Sequence, residues 1–382
     1  MKTTYIPCLD GLRASAFFMV FLGHCGLINP GAGAFGVTVF FFLSGFLITS
    51  LLRQEFTVTG NIALNDFYIR RSFRILPPMY IVLAAAYFLS SHGVPSSLGN
   101  RAGAISVILY FYNYADLLAH FKFVLPTGMG VLWSLMIEEH FYLVFPVIYR
   151  FMMRRRLSNS QQSGIFFSAC MLALFWRAYL VFVHGTPITT LPRWTYSATD
   201  TRFDSILMGC VLAVRFNPKF ADSTPLLTRH KGLLAVGGLI LLAFTLVMRE
   251  PHWRETLRYT VQGVALFPVF FYCVSESSNP IIRLLEMAPI RWLGQVSYAM
   301  YLTHALIIRI VESSIVRPSS RFVIALLFTI LAGWAVRNLV ELPLRTVRDW
   351  LLIRVKGVTH GGHPIGFYGH SQGSLTPKVE TR

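Results

Sequence analysis

The sequence predicts an all-α protein, a polytopic bundle of transmembrane helices. Of its 382 residues, 54% are hydrophobic and only 13% are charged. The apolar residues gather into blocks close to the length needed to cross a bilayer as helix. Short loops rich in Lys and Arg separate the blocks, as on the cytoplasmic side of membrane proteins. The formal charge of +17 raises nucleic acid as a partner. Because the cations lie mostly beside apolar blocks, that partner is set aside in favour of the lipid bilayer.

In order along the chain, the blocks cover about 10–29, 36–52, 76–92, 131–151, 164–184, 203–216, 232–248, 258–275, 292–311 and 321–341. One further stretch, AISVILYFYNYADLL at 104–118, is short. If it crossed, the basic loop RFMMRRRL would fall on the outer side, against the positive-inside rule. It is therefore expected to be a re-entrant or interfacial helix, leaving about ten spans with both termini cytoplasmic. The opening MKTTYIPCLDGLRAS lacks a small-residue cleavage site, so the first block is expected to remain as a span. Five scattered cysteines, Cys8, Cys25, Cys170, Cys210 and Cys273, lack metal-ligand spacing and read as free thiols. The chain divides into a membrane domain at 1–350 and a basic, Gly/Ser-rich cytoplasmic tail at 351–382. The tail shows no periodicity and is expected to be disordered, with His360, His363 and His370 solvated.

The ionisable residues inside the apolar blocks need a reason, because each costs roughly 2.5 to 3.5 kcal/mol at the bilayer centre. In LDGLRASAFFMVFLGHC, Asp10, Arg13 and His24 share one helix face: the steps from Arg13 to His24 turn about 20° past three whole turns. Arg13 lies roughly 16 Å below His24 along the axis, which suggests a lined passage with two depths. The blander alternative is an Asp10–Arg13 ion pair with His24 bonded to a neighbouring helix. In the second block, Gly36, Ser44 and Gly45 read as packing residues that admit a close neighbour. In FYIRRSFRILPPMY, Arg70, Arg71 and Arg74 form a cytoplasmic cluster ahead of a helix opened by Pro77 and Pro78. Arg71 and Arg74 are i, i+3 neighbours suited to phosphate oxygens, although topology alone could explain them. WSLMIEEHFYLVFP places Ser134, Glu138, Glu139 and His140 in a block, DTRFDSILMG adds Arg202 and Asp204, and SYAMYLTH adds Tyr298, Tyr301 and His304. Such a chain of intramembrane charges fits a catalytic cavity or a proton-coupled transporter.

Taken together, these stretches resemble the acyltransferase 3 family of bacterial membrane acyltransferases, over nearly the whole chain to about residue 350. The family pattern of a basic residue, ten intervening residues and a histidine reads here as Arg13 to His24. Its Arg-x-x-Arg motif reads as Arg71 and Arg74. FFFLSGFLI, WSLMIEEHFYLVFP, SYAMYLTH and VELPLR complete the six motifs, and WSLMIEEHFYLVFP aligns Glu138 with the family acid.

The resemblance implies an O-acyltransferase of the bacterial inner membrane. It would move an acyl group, commonly acetyl from acetyl-CoA, to a hydroxyl of a glycan, a lipid-linked saccharide or another acceptor, with no metal. Some members carry a fused hydrolase-like domain, which is not expected in this chain. Arg71 and Arg74, with Arg70 beside them, would hold the CoA phosphates, and the pantetheine arm would pass Arg13. His24 would act as general base, or as the carrier of an acyl-histidine relay. Glu138 is the expected partner orienting its imidazole, with Asp10 paired to Arg13. His304, Asp204, Arg202, Tyr301 and Ser134 are candidates for binding the acceptor. The alternatives are a glycan or lipid-precursor transporter, an acyltransferase for a macrolide-like small molecule and, last, a structural protein, which would leave the intramembrane charges without a purpose.

Overall fold

The computed structural model describes residues 5–94, 99–118, 122–187, 191–220, 225–275, 279–314 and 318–357. Among them every regular element is helical. The chain opens with α1 (Pro7–His24), α2 (Pro30–Thr59) and α3 (Leu64–Ser91), followed by short α4 (Arg101–Ile108) and α5 (Tyr112–Leu118). A single 3₁₀ turn leads into α6 (Trp133–Arg154), then come α7 (Asn159–Phe182), α8 (Leu191–Ser197) and α9 (Thr199–Arg215). Next are α10 (Pro225–Arg229), α11 (Lys231–Val247), α12 (Pro251–Glu255), α13 (Arg258–Ser275) and α14 (Pro280–Leu285). The chain ends with α15 (Ala288–Ser314), α16 (Pro318–Val336), a π-helical turn at Arg337–Glu341 and α17 (Leu342–Gly357).

Each of the ten apolar blocks falls mainly on one helix, although the first runs past the end of α1 at His24. By length and composition, five stretches among the described residues can cross a membrane: Pro30–Thr59, Leu64–Ser91, Met129–Arg154, Asn159–Phe182 and Ser320–Ile353. The stretch at 104–118 breaks between α4 and α5. Neither piece is long enough to span. Helix α17 carries regular structure to Gly357, so the first part of the segment read as tail is helical. The remainder, with His360, His363 and His370, lies outside the described residues. All five cysteines are free thiols.

Pro77 and Pro78 do not open a helix: α3 starts at Leu64 and carries both in its interior. Beside the proline pair the hydroxyl of Tyr298 donates to the Ile75 carbonyl at 2.7 Å, which ties α15 to α3. With α3 starting at Leu64, Arg70, Arg71 and Arg74 are helical residues that project from α3 and do not belong to a loop.

Small residues set the helix spacing around α1. Gly23 and Gly33 meet directly, and a Cβ on Gly36 would stand 2.5 Å from the Ala16 carbonyl, so α1 and α2 are antiparallel and in close contact. A Cβ on Gly45 would stand 1.9 Å from the Ile206 carbonyl and one on Gly209 would stand 2.0 Å from that of Phe42, which locks α2 to α9. On the other side, Gly294 of α15 abuts Asp10. Together with the His24–His304 contact, this makes α15 run parallel to α1.

Candidate active site

The packing of α15 along α1 brings two histidines together across 280 residues of sequence. Nε2 of His304 is 3.2 Å from Nδ1 of His24. His304 is fully buried, and its Nδ1 is 2.6 Å from the Tyr301 carbonyl oxygen. A carbonyl only accepts, so that nitrogen carries the proton and Nε2 of neutral His304 is an acceptor. The donor to it must be Nδ1 of His24, which also faces the Val20 carbonyl at 3.0 Å. In the neutral state His24 therefore keeps its lone pair on Nε2, an atom with no hydrogen-bond partner among the described residues, on a side chain exposed at the end of α1. An imidazole fixed in this tautomer is arranged as a proton acceptor.

Beside this pair, the Tyr301 hydroxyl and Ser134 Oγ lie 2.7 Å apart. Ser134 follows Trp133, whose ring packs on Tyr196 at 4.4 Å and on Phe41 at 6.2 Å. An aromatic wall thus adjoins the histidines.

Toward the other end of α1, Arg13 Nη1 is 3.2 Å from Asp10 Oδ1, and the Tyr5 hydroxyl donates to Asp10 Oδ2 at 2.5 Å. Because α1 and α2 are antiparallel, Ser44 falls toward this end. Its hydroxyl donates to Glu138 Oε1 at 2.6 Å and accepts from Tyr142 at 3.0 Å. The Arg71 guanidinium lies 3.6 Å from the centre of the Tyr142 ring, and Arg71 and Arg13 both attract Glu138 electrostatically. Nε of Arg71 and Oε1 of Glu139 are buried without hydrogen-bond partners among the described residues.

Several expected assignments change. Glu138 was the expected orienting partner of His24, yet its hydrogen bonds go to Ser44 of α2, and the partner on His24 is His304. The reason is geometric, since α15 flanks the face of α1 that presents His24. Ser44, read as packing, instead shares a hydrogen-bonded cluster with Glu138 and Tyr142. The Arg-x-x-Arg pair divides. Arg71 turns to Tyr142 and Glu138, while Arg74 lines a cleft with Phe73, Glu341, Arg345 and Arg348. Arg70 is engaged by Glu55 at 3.5 Å and Asp66 at 3.7 Å, which ties α2 to α3. Asp204 is not free for an acceptor: it is fully buried, 2.7 Å from Arg177 Nη2, and accepts from Thr260 at 2.9 Å. Arg202 is also fully buried, donating to Thr38 at 3.1 Å. Arg13 and His24 belong to separate networks, and neither the basic cleft nor the apolar groove between α15 and α16 joins them. The one passage inferred from their shared face is therefore not supplied by either opening.

Sequence reasoning missed Arg345 and Arg348. Their signal was present as an i, i+3 basic pair just past the last apolar block, in LPLRTVRDW. Among the described residues, no three His, Cys, Asp or Glu side chains converge as a metal site.

A multi-pass helical membrane protein with a histidine pair at one end of its first helix and an arginine cleft elsewhere is the class that fold and geometry define. The chain belongs to the acyltransferase domain family, whose model matches residues 6–337. It is 31% identical over 312 residues to the peptidoglycan O-acetyltransferase OatA of Listeria monocytogenes, an alignment covering 78% of this chain and 49% of that protein. It is 30% identical over 354 residues to the O-acetyltransferase OatA of Staphylococcus aureus, covering 89% of this chain and 57% of that one. The putative peptidoglycan O-acetyltransferase YrhL of Bacillus subtilis is 31% identical over 318 residues, covering 78% and 48% respectively. The chain thus spans about half the length of these relatives. No solved structure matches it.

Proposed function

We propose that this chain is a membrane O-acyltransferase that moves an acetyl group from acetyl-CoA to a hydroxyl of a cell-envelope glycan. The reading takes the chain to cross a bacterial inner membrane about ten times with both termini cytoplasmic, which puts Asp10 near the inner face and His24 toward the outer. The observation that carries it is the His24–His304 pair, which leaves Nε2 of His24 as an unblocked base.

On this reading the donor's phosphates dock at Arg74, which lines the cleft with α17, and its thioester reaches Nε2 of His24 by a route other than that cleft or the apolar groove. Nε2 of His24 removes the proton of the acceptor hydroxyl as its oxygen attacks the thioester carbon. The C–O bond forms, the C–S bond breaks, and the departing thiolate takes the proton from the imidazolium. Throughout, Nδ1–H keeps its bond to His304. The glycan acceptor is suggested by the relatives, two of which carry peptidoglycan in their names.

The test uses purified protein in liposomes with radiolabelled acetyl-CoA and glycan strands. Label appearing in the glycan as an ester, and lost in His24→Ala protein that still folds, supports the reading. Movement of glycan without label would make the chain a transporter, and transfer at the normal rate by His24→Ala would refute the base assignment.

A further inference from the structure

Next to the histidine pair the fold buries three guanidiniums and, among the described residues, places only one of them in an ion pair. Arg177, Arg202 and Arg258 are at most 6% exposed. Asp204 is bonded to Arg177, Glu255 accepts from Thr195, and Asp200 accepts from Tyr114 and Trp176. Among the described residues, no carboxylate reaches ion-pair distance of Arg202 or Arg258, and Nε and Nη1 of Arg202 and Nε of Arg258 have no hydrogen-bond partner. A buried guanidinium without a close ion pair is costly, and Asp204 attracts Arg202, and Glu255 attracts Arg258, only from beyond ion-pair distance. In a membrane protein such a residue is a functional site by default.

Aromatic rings account for only part of the compensation. The Arg202 guanidinium lies 3.8 Å from the centre of the Tyr259 ring and 5.5 Å from those of Phe41 and Tyr196. Cation–π attraction acts through ring faces. Arg202 Nη2 donates to Thr38 and Arg258 Nη2 to the Tyr259 hydroxyl, which leaves Nε and Nη1 of Arg202 and Nε of Arg258 unfilled among the described residues, and an oxyanion is the ligand that fills them.

The position fits the acceptor side of the reaction. A Cβ on Gly31 would stand 3.6 Å from Arg258 Nη1, which places Arg258 at the start of α2, the end that meets Gly23 and His24. Tyr196 packs on Trp133, the neighbour of Ser134, whose hydroxyl meets that of Tyr301 one helical turn from His304.

We propose that Arg202 and Arg258, walled by Phe41, Trp133, Tyr196 and Tyr259, bind an oxyanion of the saccharide acceptor, so that the enzyme selects negatively charged acceptors. This rests on the acyl-transfer reading, with His24 supplying the chemistry beside the site. The rings offer apolar faces for the sugar, and the guanidiniums hold its carboxylate or the phosphate of its lipid carrier.

The test measures acetyl transfer from radiolabelled acetyl-CoA by the full chain to three acceptors. They are a neutral chitooligosaccharide, an oligosaccharide of equal length bearing muramic-acid carboxylates, and a chitooligosaccharide on a polyprenyl diphosphate. The wild type should favour one charged acceptor over the neutral one by about tenfold or more in kcat/KM, the scale of hydrogen bonds to charged groups. The favoured probe identifies carboxylate or phosphate. Arg258→Gln and Arg202→Gln should reduce the preference below about threefold while KM for acetyl-CoA stays unchanged. Arg202→Lys, which keeps the charge, should retain part of it. Arg258 lies nearer the surface, so its variant carries the test if Arg202→Gln does not fold. Equal use of charged and neutral acceptors by the wild type, or a preference that survives in Arg258→Gln, overturns the proposal. If the wild type labels no acceptor, the acyl-transfer reading falls, and this site falls with it.

Discussion

Nδ1 of His24 on α1 donates toward Nε2 of His304 on α15 at 3.2 Å, and the Tyr301 carbonyl fixes the direction of that bond. This makes His304 a positioning residue that acts through His24. His24→Ala should lower kcat by about 10²- to 10⁴-fold, the range of general-base catalysis. His304→Ala should lower it less, by about 10- to 100-fold, as expected for a group that orients another. His304→Gln places an amide oxygen where Nε2 stood and should restore part of the rate. Ester formation measured with radiolabelled acetyl-CoA checks all three, and equal activity of the Ala and Gln variants would deny the positioning role.

The basic cleft makes a separate prediction for the donor. Arg74, Arg345 and Arg348 face it with Glu341 as the single lining acid. Replacing Arg345 and Arg348 together by Gln should raise KM for acetyl-CoA about tenfold with little change in kcat, the loss expected when charge-assisted hydrogen bonds to phosphate are removed. Acetyl-pantetheine, which lacks the nucleotide phosphates, should be used equally by wild type and variant. An unchanged KM for acetyl-CoA would remove the cleft from the donor site.

The Ser44–Glu138–Tyr142 cluster predicts an effect of charge without loss of shape. Glu138→Gln can still accept the Ser44 hydroxyl but no longer attracts Arg71 and Arg13. Stability in detergent should fall by about 1 to 3 kcal/mol, because Arg71 already has a buried, unpartnered Nε. Thermal unfolding reads this directly. A variant as stable as wild type would mean that the carboxylate charge does not hold the cluster.

The fully buried Arg177–Asp204 pair lends itself to a double-mutant cycle. Arg177→Met alone should cost about 3 to 5 kcal/mol, because Asp204 is left charged and buried. Adding Asp204→Leu should recover much of that loss. Additive losses in unfolding midpoints would contradict the pairing.

Close packing at Gly45 gives the last prediction. Gly45→Ala must displace the Ile206 carbonyl, 1.9 Å from the added carbon, and should destabilise by about 1 to 3 kcal/mol. Gly164→Ala meets nothing within 4 Å and should be neutral or slightly stabilising. The two variants compared by thermal unfolding separate helix packing from helix propensity.

Much of this architecture is legible in one dimension. The apolar blocks become helices because a run of apolar residues that must satisfy its own backbone in lipid has little alternative. The Asp10–Arg13 pair is a local i, i+3 relation and forms as its spacing suggests. The 104–118 stretch was readable as something other than a span from the basic loop that follows it. Pro77 and Pro78 misled, because α3 begins at Leu64 and continues through both of them, which a local reading of proline as a helix opener does not allow for.

The sequence by itself determined the helical class, the family motifs and the identity of the ionisable groups held within the apolar blocks, since these follow from composition and short-range periodicity. Only the tertiary structure decided which of them meet. It paired His24 with His304, gave Glu138 to Ser44, and split Arg71 from Arg74. The physical reason is that partners on different helices are chosen by how glycine-lined faces such as Gly23 on Gly33 and Gly294 on Asp10 let backbones approach, and that register is a property of packed surfaces which no local pattern encodes.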